Sequence, residues 1–405
     1  MKEKKIYETL GLYVHIPFCR HKCAYCDFYS TDRQGDDGKS DEMKQYCKAL
    51  RYHLRMVSDK VSDYTIDSVF IGGGTPTALC PKLLLSVVNE IKDDYYESEN
   101  MEFTVEMNPA TSDYKTLRRL RRAGVNRISV GLQSADEAEL RALGRIHTKE
   151  EFEESFLQAR DAGFDNINID VMFGIPGQTE SSLLETLSYA VSLSPEHISL
   201  YNLILEEGTP LWRKRAQLAL PSENEEYGMY EAAIAYLADN GYAQYEISNF
   251  ARPGFECRHN LRYWHSEEYL GFGPGAHSYF AARRFGIVKD TAQYIEIMKG
   301  KPKQLPADML SENEHIDRRG ALTEYIMLRL RLCEGIDPAD FKARFGGDFE
   351  AVFGKKCELY IKHGFMKHEN GRYALTPKGM FVSNTILASL LPGSADAAKK
   401  GSPAR

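Results

Sequence analysis

The feature that most limits what this chain can become is an alternation of short apolar runs with amphipathic helical patterns. The runs lie at 11–17, 67–71, 102–107, 127–132, 166–173 and 197–203, and helical patterns fall at 42–56, 82–92, 113–123, 149–162 and 180–192. Strands alternating with helices predict βαβ units and a parallel sheet. Several runs are apolar on both faces, as covered parallel strands are. Six units can build an open doubly wound sheet or an incomplete βα barrel, and periodicity does not separate the two. In both, ligand sites form at the carboxyl ends of the strands. The residues with chemistry fall there: Cys19 follows the first run, Gly72 to Thr75 the second, Glu106 ends the third, Gln133 the fourth, and Asp170 lies late in the fifth.

After about residue 205 the rhythm stops. We expect a helix near 223–240, a strand over 242–250, a glycine-rich stretch at 271–275 and a linker at 301–306. A long helix is then predicted over 312–333, with further helices at 338–345 and 349–363 and a hairpin of 365–368 with 372–375. A last helix starts at Thr376-Pro377, with Thr376 as cap and proline at its first position. Helices followed by a two-stranded wing resemble a winged-helix module. Acidic residues interrupt its basic ones, so a packing or partner role is expected rather than DNA binding. The chain thus divides into a core (1–205), an extension (206–305), a C-terminal helical module (306–392) and a small, polar tail (393–405) expected to be disordered.

Composition narrows the partners. With a net charge of -7, the chain has no global electrostatic footprint for nucleic acid or an anionic membrane. The basic ends, Lys2 to Lys5 and Lys399 to Arg405, read as solvated tails. No apolar run reaches the 18 residues of a membrane span, although peripheral membrane contact stays open. No apolar h-region follows the first five residues, which argues against secretion. Five of the eight cysteines are scattered. Scattered cysteines without an export signal suit reduced thiols and a cytoplasmic location.

The other three cysteines, Cys19, Cys23 and Cys26, are clustered. At this cysteine frequency such spacings arise by chance about 0.003 times per chain, so the cluster needs a cause. Thiolates select zinc, copper(I) or iron–sulfur clusters. Structural zinc takes four ligands, usually as two separated pairs. Three cysteines in one loop leave one iron of a four-iron cluster open to another ligand. His21 could complete a zinc site instead. A redox pair of Cys23 and Cys26 would leave Cys19 unexplained.

The segment Tyr13-Val14-His15-Ile16-Pro17-Phe18-Cys19, with Cys23, Tyr25 and Cys26, resembles the opening of radical S-adenosylmethionine (SAM) proteins of the oxygen-independent coproporphyrinogen III oxidase-like family. The likeness extends through Gly72-Gly73-Gly74-Thr75-Pro76-Thr77, Glu106-Met107-Asn108-Pro109, Gly131-Leu132-Gln133-Ser134, Gly144-Arg145-Ile146-His147 and Asp170 with Phe173-Gly174-Ile175-Pro176-Gly177. Within this family the heme chaperone branch is the better match. The oxidases carry a further cysteine where this chain has Phe28. They also have a longer extension before the cluster, where only 18 residues precede Cys19. His259-Asn260-Leu261-Arg262-Tyr263-Trp264 matches the HNxxYW signature that the branch associates with heme, and Ala276-His277-Ser278-Tyr279 is similar too.

The resemblance implies an α/β fold: an incomplete (β/α)6 TIM-like radical SAM barrel with a C-terminal α+β winged-helix-like domain. It implies three cofactors, a [4Fe-4S] cluster, SAM and heme. Cys19, Cys23 and Cys26 would hold three irons, and the amino and carboxylate groups of SAM would chelate the fourth. One electron from the cluster would then split the sulfonium to give a 5'-deoxyadenosyl radical; that chemistry belongs to the cofactor. Gly73, Gly74 and Thr75 would line the SAM site, since glycines let backbone approach a ligand. Taken alone, the glycine run is a tight turn; it lacks the Gly-Lys-Ser/Thr of a phosphate loop. Glu106 would meet SAM's polar groups, and Tyr13 would be the aromatic contact near the cluster. Gln133, Arg145, Asp170 and Tyr25 match residues that hold a second SAM in the oxidases. On residue type alone, Glu106 is a capping acid, Arg145 a partner of Glu139 and Tyr13 barrel core.

His259 is the candidate heme ligand, because neutral imidazole suits iron; the alternative is a half-buried histidine bonded to backbone. Cys257, His277 and His265 are further candidates. The first functional expectation is a heme-trafficking protein serving a recipient hemoprotein and reduced by a low-potential donor such as flavodoxin or ferredoxin. Reductive SAM cleavage is open, and coproporphyrinogen decarboxylation is not expected. The rivals are a coproporphyrinogen III oxidase and a radical SAM enzyme acting on another substrate.

Overall fold

A computed structural model describes residues 8–391. The tails expected from the sequence, Lys2 to Lys5 and 393–405, lie outside the described residues. The first half follows the alternation. Strand β1 (Glu8–Ile16) leads through two short strands, β2 (Phe18–Cys19) and β3 (Thr31–Asp32), to helix α1 (Asp41–Ser58). Then come β4 (Tyr64–Gly73), α2 (Pro81–Asp94), β5 (Glu97–Met107), α3 (Tyr114–Arg122), β6 (Arg127–Gln133), α4 (Glu137–Ala142), α5 (Lys149–Asp161), β7 (Ile167–Phe173), α6 (Glu180–Ser192) and β8 (His197–Asn202). Strands β1, β4, β5, β6, β7 and β8 pair in parallel in that order.

Local chemistry explains the boundaries. Side chains alternate across a strand. In β1, Leu10, Leu12, Val14 and Ile16 are fully buried in the hydrophobic core, whereas Tyr13 and His15 project to the opposite face, where the Tyr13 hydroxyl bonds His15 Nδ1 at 3.0 Å. Helices start at side-chain caps: Ser40 accepts from Met43 N, Asp113 from Thr116 N, and Thr148 with Glu151 forms a capping box.

The second half departs from expectation in three places. After α7 (Pro210–Arg213) and α8 (Glu223–Asp239), the segment predicted as one strand over 242–250 is a hairpin, β9 (Ala243–Gln244) and β10 (Asn249–Ala251), which pairs antiparallel with β8. Its turn, 245–248, contains neither glycine nor proline, so composition did not mark it. After α9 (Arg258–Trp264) comes β11 (Tyr269–Phe272), a seventh parallel strand that pairs with β1 and runs into the first residues of the glycine-rich stretch. Strands β12 (His277–Phe280) and β13 (Arg283–Ile287) follow, then α10 (Thr291–Lys299) and β14 (Leu310–His315). The first residues of the predicted long helix therefore belong to an edge strand paired with β13. Helix α11 (Arg318–Arg329) begins only where Asp317 caps Gly320 N. The remaining elements are α12 (Pro338–Phe345), α13 (Phe349–Lys362), the β15 (Met366–Glu369) and β16 (Arg372–Leu375) hairpin, α14 (Pro377–Phe381) and α15 (Ser383–Leu390). Thr376 caps α14, accepting from Gly379 N. The result is a twelve-stranded sheet, ordered β14-β13-β12-β11-β1-β4-β5-β6-β7-β8-β10-β9, with a C-terminal helical module carrying a wing. No helix among the described residues is long and apolar enough to cross a membrane.

The parallel sheet is curved but open, and α9 fills its interior near the amino ends of the strands. Glu102 of β5, only 4% exposed, accepts the N–H groups of Arg258 and His259 at 3.0 and 3.1 Å and the Cys257 thiol at 3.4 Å. It thus serves the exposed donors at the helix start from another element. Arg262, 3% exposed, pairs with Asp67 of β4 and donates to Glu268 O at 2.9 Å. Removing Arg262 would leave the Asp67 carboxylate, 27% exposed, and the Glu268 carbonyl without their donor, at a cost of about 1–3 kcal/mol. Arg262→Ala is therefore expected to lower unfolding stability by that amount in urea titration. A loss below about 1 kcal/mol, the worth of a surface pair, would show that α9 does not hold the barrel together.

Candidate functional site

The carboxyl ends of β1, β4, β5, β6 and β7 surround one cleft. It is lined by Cys19, Cys23, Tyr25, Cys26, Gly73, Gly74, Thr75, Glu106, Gln133, Arg145 and Asp170, all expected from the sequence, together with Asn108, Ser129 and Gly131. The cleft is narrow, about 130 Å³, and shares His21, Cys23, Asn108 and Arg145 with a neighbouring cleft of about 110 Å³.

The cysteine loop is clamped onto the glycine segment by backbone bonds, Gly74 N to Ile16 O (2.8 Å) and Thr75 N to Phe18 O (2.7 Å). A side chain at residue 74 would lie 2.7 Å from Phe18 O and 2.9 Å from Ile16 O, so glycine is required by this close approach. Gly73 has φ 106°, open only to glycine at low cost, and its N–H donates to Glu106 Oε2 at 3.2 Å.

Each of two thiols already receives a polar donor. Thr75 Oγ1 donates to Cys19 Sγ at 3.5 Å, and Arg145 Nη1 to Cys23 Sγ at 3.4 Å. Arg145 Nη2 also donates to Asn108 Oδ1 (2.9 Å) and Gly131 O (2.8 Å), and Asn108 Nδ2 returns to Thr75 Oγ1 (2.8 Å). Asn108 thus ties the cysteine donors together; the sequence placed it in the Glu106-Met107-Asn108-Pro109 segment without giving it a role. Burial raises the Cys19 thiol and pushes that of Cys26 up to about 11. Loaded iron would offset that cost, since metal binding releases thiol protons.

The residues present fit an iron–sulfur cluster. Three free cysteines share the cleft, and the buried Arg145 Nε has no hydrogen-bond partner, a donor left for an anionic ligand. No three His, Cys, Asp or Glu side chains among the described residues converge on a single metal ion. A cubane does not require that, because each thiolate would bind a different iron.

The acids are held away from their ordinary state. Burial, reinforced by Asp170, lifts the Glu106 carboxyl to about 8. Burial also raises Asp170, against the bonds it accepts from Asn168 (2.7 Å) and Ser129 (3.3 Å). A cleft that raises two carboxyls is prepared for a cationic group.

One residue expected at the SAM site is not on this cleft. Tyr13 lies one layer below it, stacked on Phe70 at 6.5 Å and bonded to His15, because its position in β1 is three residues before the strand's end. His259 is 1% exposed inside the barrel wall. Its Nδ1 bonds Ser68 Oγ (3.0 Å), its Nε2 bonds Tyr263 OH (2.8 Å), and Phe70 stacks on its ring at 5.5 Å. Burial lowers its pKa to about 3. Both ring nitrogens are thus engaged by side-chain hydrogen bonds in this arrangement. Cys257 is likewise fully buried. His265 and His277 face carboxylates, Glu334 at 3.2 Å and Glu312 at 3.7 Å.

The chain matches the family model described as "Radical SAM superfamily" over residues 13–190 and "HemN C-terminal domain" over 316–382. It is 34% identical to the heme chaperone HemW of Bacillus subtilis (strain 168), covering 94% of this chain and 98% of that one. It is 31% identical to the heme chaperone HemW of Escherichia coli (strain K12), over the same shares. Among solved structures, the Escherichia coli coproporphyrinogen III oxidase (HemN), a radical SAM enzyme, superposes with a TM-score of 0.80 at 22% identity, covering 95% of this chain and 90% of that one.

The raised carboxyl of Glu106 has a stability consequence. Its folded pKa of about 8 exceeds the ordinary carboxylate value, so the folded protein binds an extra proton and loses stability as pH rises from about 4.5 to 8. Glu106→Gln is therefore expected to raise the melting temperature of the cofactor-free protein by a few degrees at pH 8 and to change it little at pH 4.5. An equal shift at both pH values would show that the carboxyl's charge is not what strains the site.

Proposed function

The chain belongs to the heme chaperone HemW family of radical SAM proteins, and from that premise we propose that it binds a [4Fe-4S] cluster and SAM in the cleft and carries heme to a recipient hemoprotein. The observation that supports this reading most is the meeting of all three clustered cysteines with Gly73, Gly74, Thr75, Glu106 and Asp170 on one cleft. When bound, cluster and SAM together supply one-electron reductive cleavage of the sulfonium.

The chain's own residues bind and orient. Cys19, Cys23 and Cys26 would hold the cluster, and the donors on Cys19 and Cys23 would lower electron density on two sulfurs, a lever on cluster potential. Glu106, presented by β5 beside the Gly73 N–H, would take the cationic part of SAM and lose its proton in doing so. Gln133, held at φ 68° by the bulge in β6, and Arg145 would form the far wall. A low-potential donor such as flavodoxin or ferredoxin would reduce the cluster, and heme and a hemoprotein are the partners that the relatives' names suggest.

The retention of Gln133, Arg145 and Asp170 on the cleft favours a second reading, SAM-dependent oxidative decarboxylation of coproporphyrinogen III. The site residue that speaks against it is Phe28, which is 70% exposed at the cleft and stands where the oxidases have cysteine. One experiment separates the readings. The anaerobically reconstituted protein is given SAM, a reductant and coproporphyrinogen III, and in parallel is titrated with heme. Stoichiometric heme binding without protoporphyrinogen is expected; multiple turnovers of decarboxylated product would establish the oxidase instead. In the same preparation, Cys19→Ala, Cys23→Ala and Cys26→Ala are each expected to abolish the iron–sulfur absorbance. Wild-type absorbance in these variants would remove the cluster from this loop.

A further inference from the structure

A second cavity lies apart from the cofactor cleft. It measures about 630 Å³ and lies where the ends of β7 and β8 face α8, α9 and the C-terminal helices, within the range of pockets that enclose a ligand of several hundred daltons. Strand β7 serves both sites, giving Asp170 to the cofactor cleft and Phe173 to this cavity.

The walls are aromatic and aliphatic with one cation. Tyr201, Ile204, Trp264 and Phe381 line the cavity. Ile204 is 66% exposed and Tyr201 40%, so apolar surface at this cavity is open to a ligand. The cation is Arg331. Its Nη2 donates to Asn384 Oδ1 at 2.9 Å, its guanidinium stands 6.0 Å over the Trp264 ring, and its buried Nε has no hydrogen-bond partner. A buried unsatisfied donor carries a desolvation cost that an anionic acceptor would relieve. The acids Glu223 and Glu226, on α8, also line the cavity, so an anionic ligand would direct its charge away from them and toward Arg331.

We propose that this cavity binds a planar tetrapyrrole, the ring against Trp264, Tyr201 and Phe381 and a propionate on Arg331. The proposal deepens the heme-carrying reading and rests on it. It also gives a role to the segment that His259 begins. His259 is locked inside the barrel, while Trp264, at the other end of the same helix, reaches the cavity. Recognition here is by ring face and carboxylate, so an iron ligand is not needed for binding.

The test is a titration of the reconstituted full-length protein with hemin, and separately with metal-free protoporphyrin IX, followed by absorbance. Arg331→Gln and Ile204→Glu are each expected to weaken both porphyrins at least tenfold while leaving the cluster absorbance and melting temperature unchanged; Ile204, exposed as it is, can accept a charge without unfolding. Unchanged affinity for hemin in both variants would overturn this location and leave the heme-carrying reading standing. Absence of hemin binding by the unaltered protein would overturn that reading and this one with it. Binding of hemin but not of the metal-free ring would overturn recognition by face and carboxylate.

Discussion

A single buried carboxylate, Glu102, organises the interior of this protein. A curved parallel sheet that does not close leaves a polar opening at its centre, and something must both fill it and satisfy the strands' inward groups. Helix α9 does so, and Glu102 holds it by its first N–H groups. Arg127, 2% exposed on the adjacent strand, lies in the field of that carboxylate, and Arg262 anchors the helix to β4 and to Glu268, just before β11. With α9 seated, His259 and Tyr263 complete the wall beneath the cofactor cleft, and Trp264 emerges toward the 630 Å³ cavity. One short helix therefore has an end locked into the barrel and an end that lines a cavity.

Above that plug, the cleft accumulates unfavourable electrostatics that only ligands relieve. Glu106 and Asp170 are both raised by burial, Arg145 retains an unpartnered Nε, and Cys26 is a reluctant acid. A site optimised for stability alone would replace these groups. Their presence is the usual trade of stability for binding, and it explains why so many polar side chains from separate strands share so small a volume.

Much of the fold was legible in the residues. The six core strands and the helices α1, α2, α3, α5 and α6 fall on the expected segments, because burial on both strand faces and a 3.6-residue stripe leave strong periodic signals. Three elements were not legible for identifiable reasons. The hairpin of β9 and β10 turns through Tyr245 to Ser248 without glycine or proline. Strand β11 runs into a glycine-rich stretch that reads as loop. Strand β14, Leu-Ser-Glu-Asn-Glu-His, has no apolar alternation and is a strand only because β13 offers it hydrogen bonds. In the site, the cysteines, glycines and Glu106 were legible from spacing and position at strand ends, whereas Asn108 was not, since its role is a pair of side-chain bonds to residues 33 and 37 positions away.

The sequence by itself determined the class of fold, the carboxyl-end location of the site and the three thiols that define its chemistry, because periodicity and spacing are local properties. Depth and direction were decided only by tertiary structure. Tyr13 falls one layer short of the cleft because strand register sets how far each side chain stands from the rim. His259, chosen for its imidazole, is closed off because the helix that carries it is turned into the barrel by Glu102, and the same turn delivers Trp264 and Arg331 to a common cavity from segments 67 residues apart. No local pattern encodes that meeting; it exists only once the sheet has curved and the plug is in place.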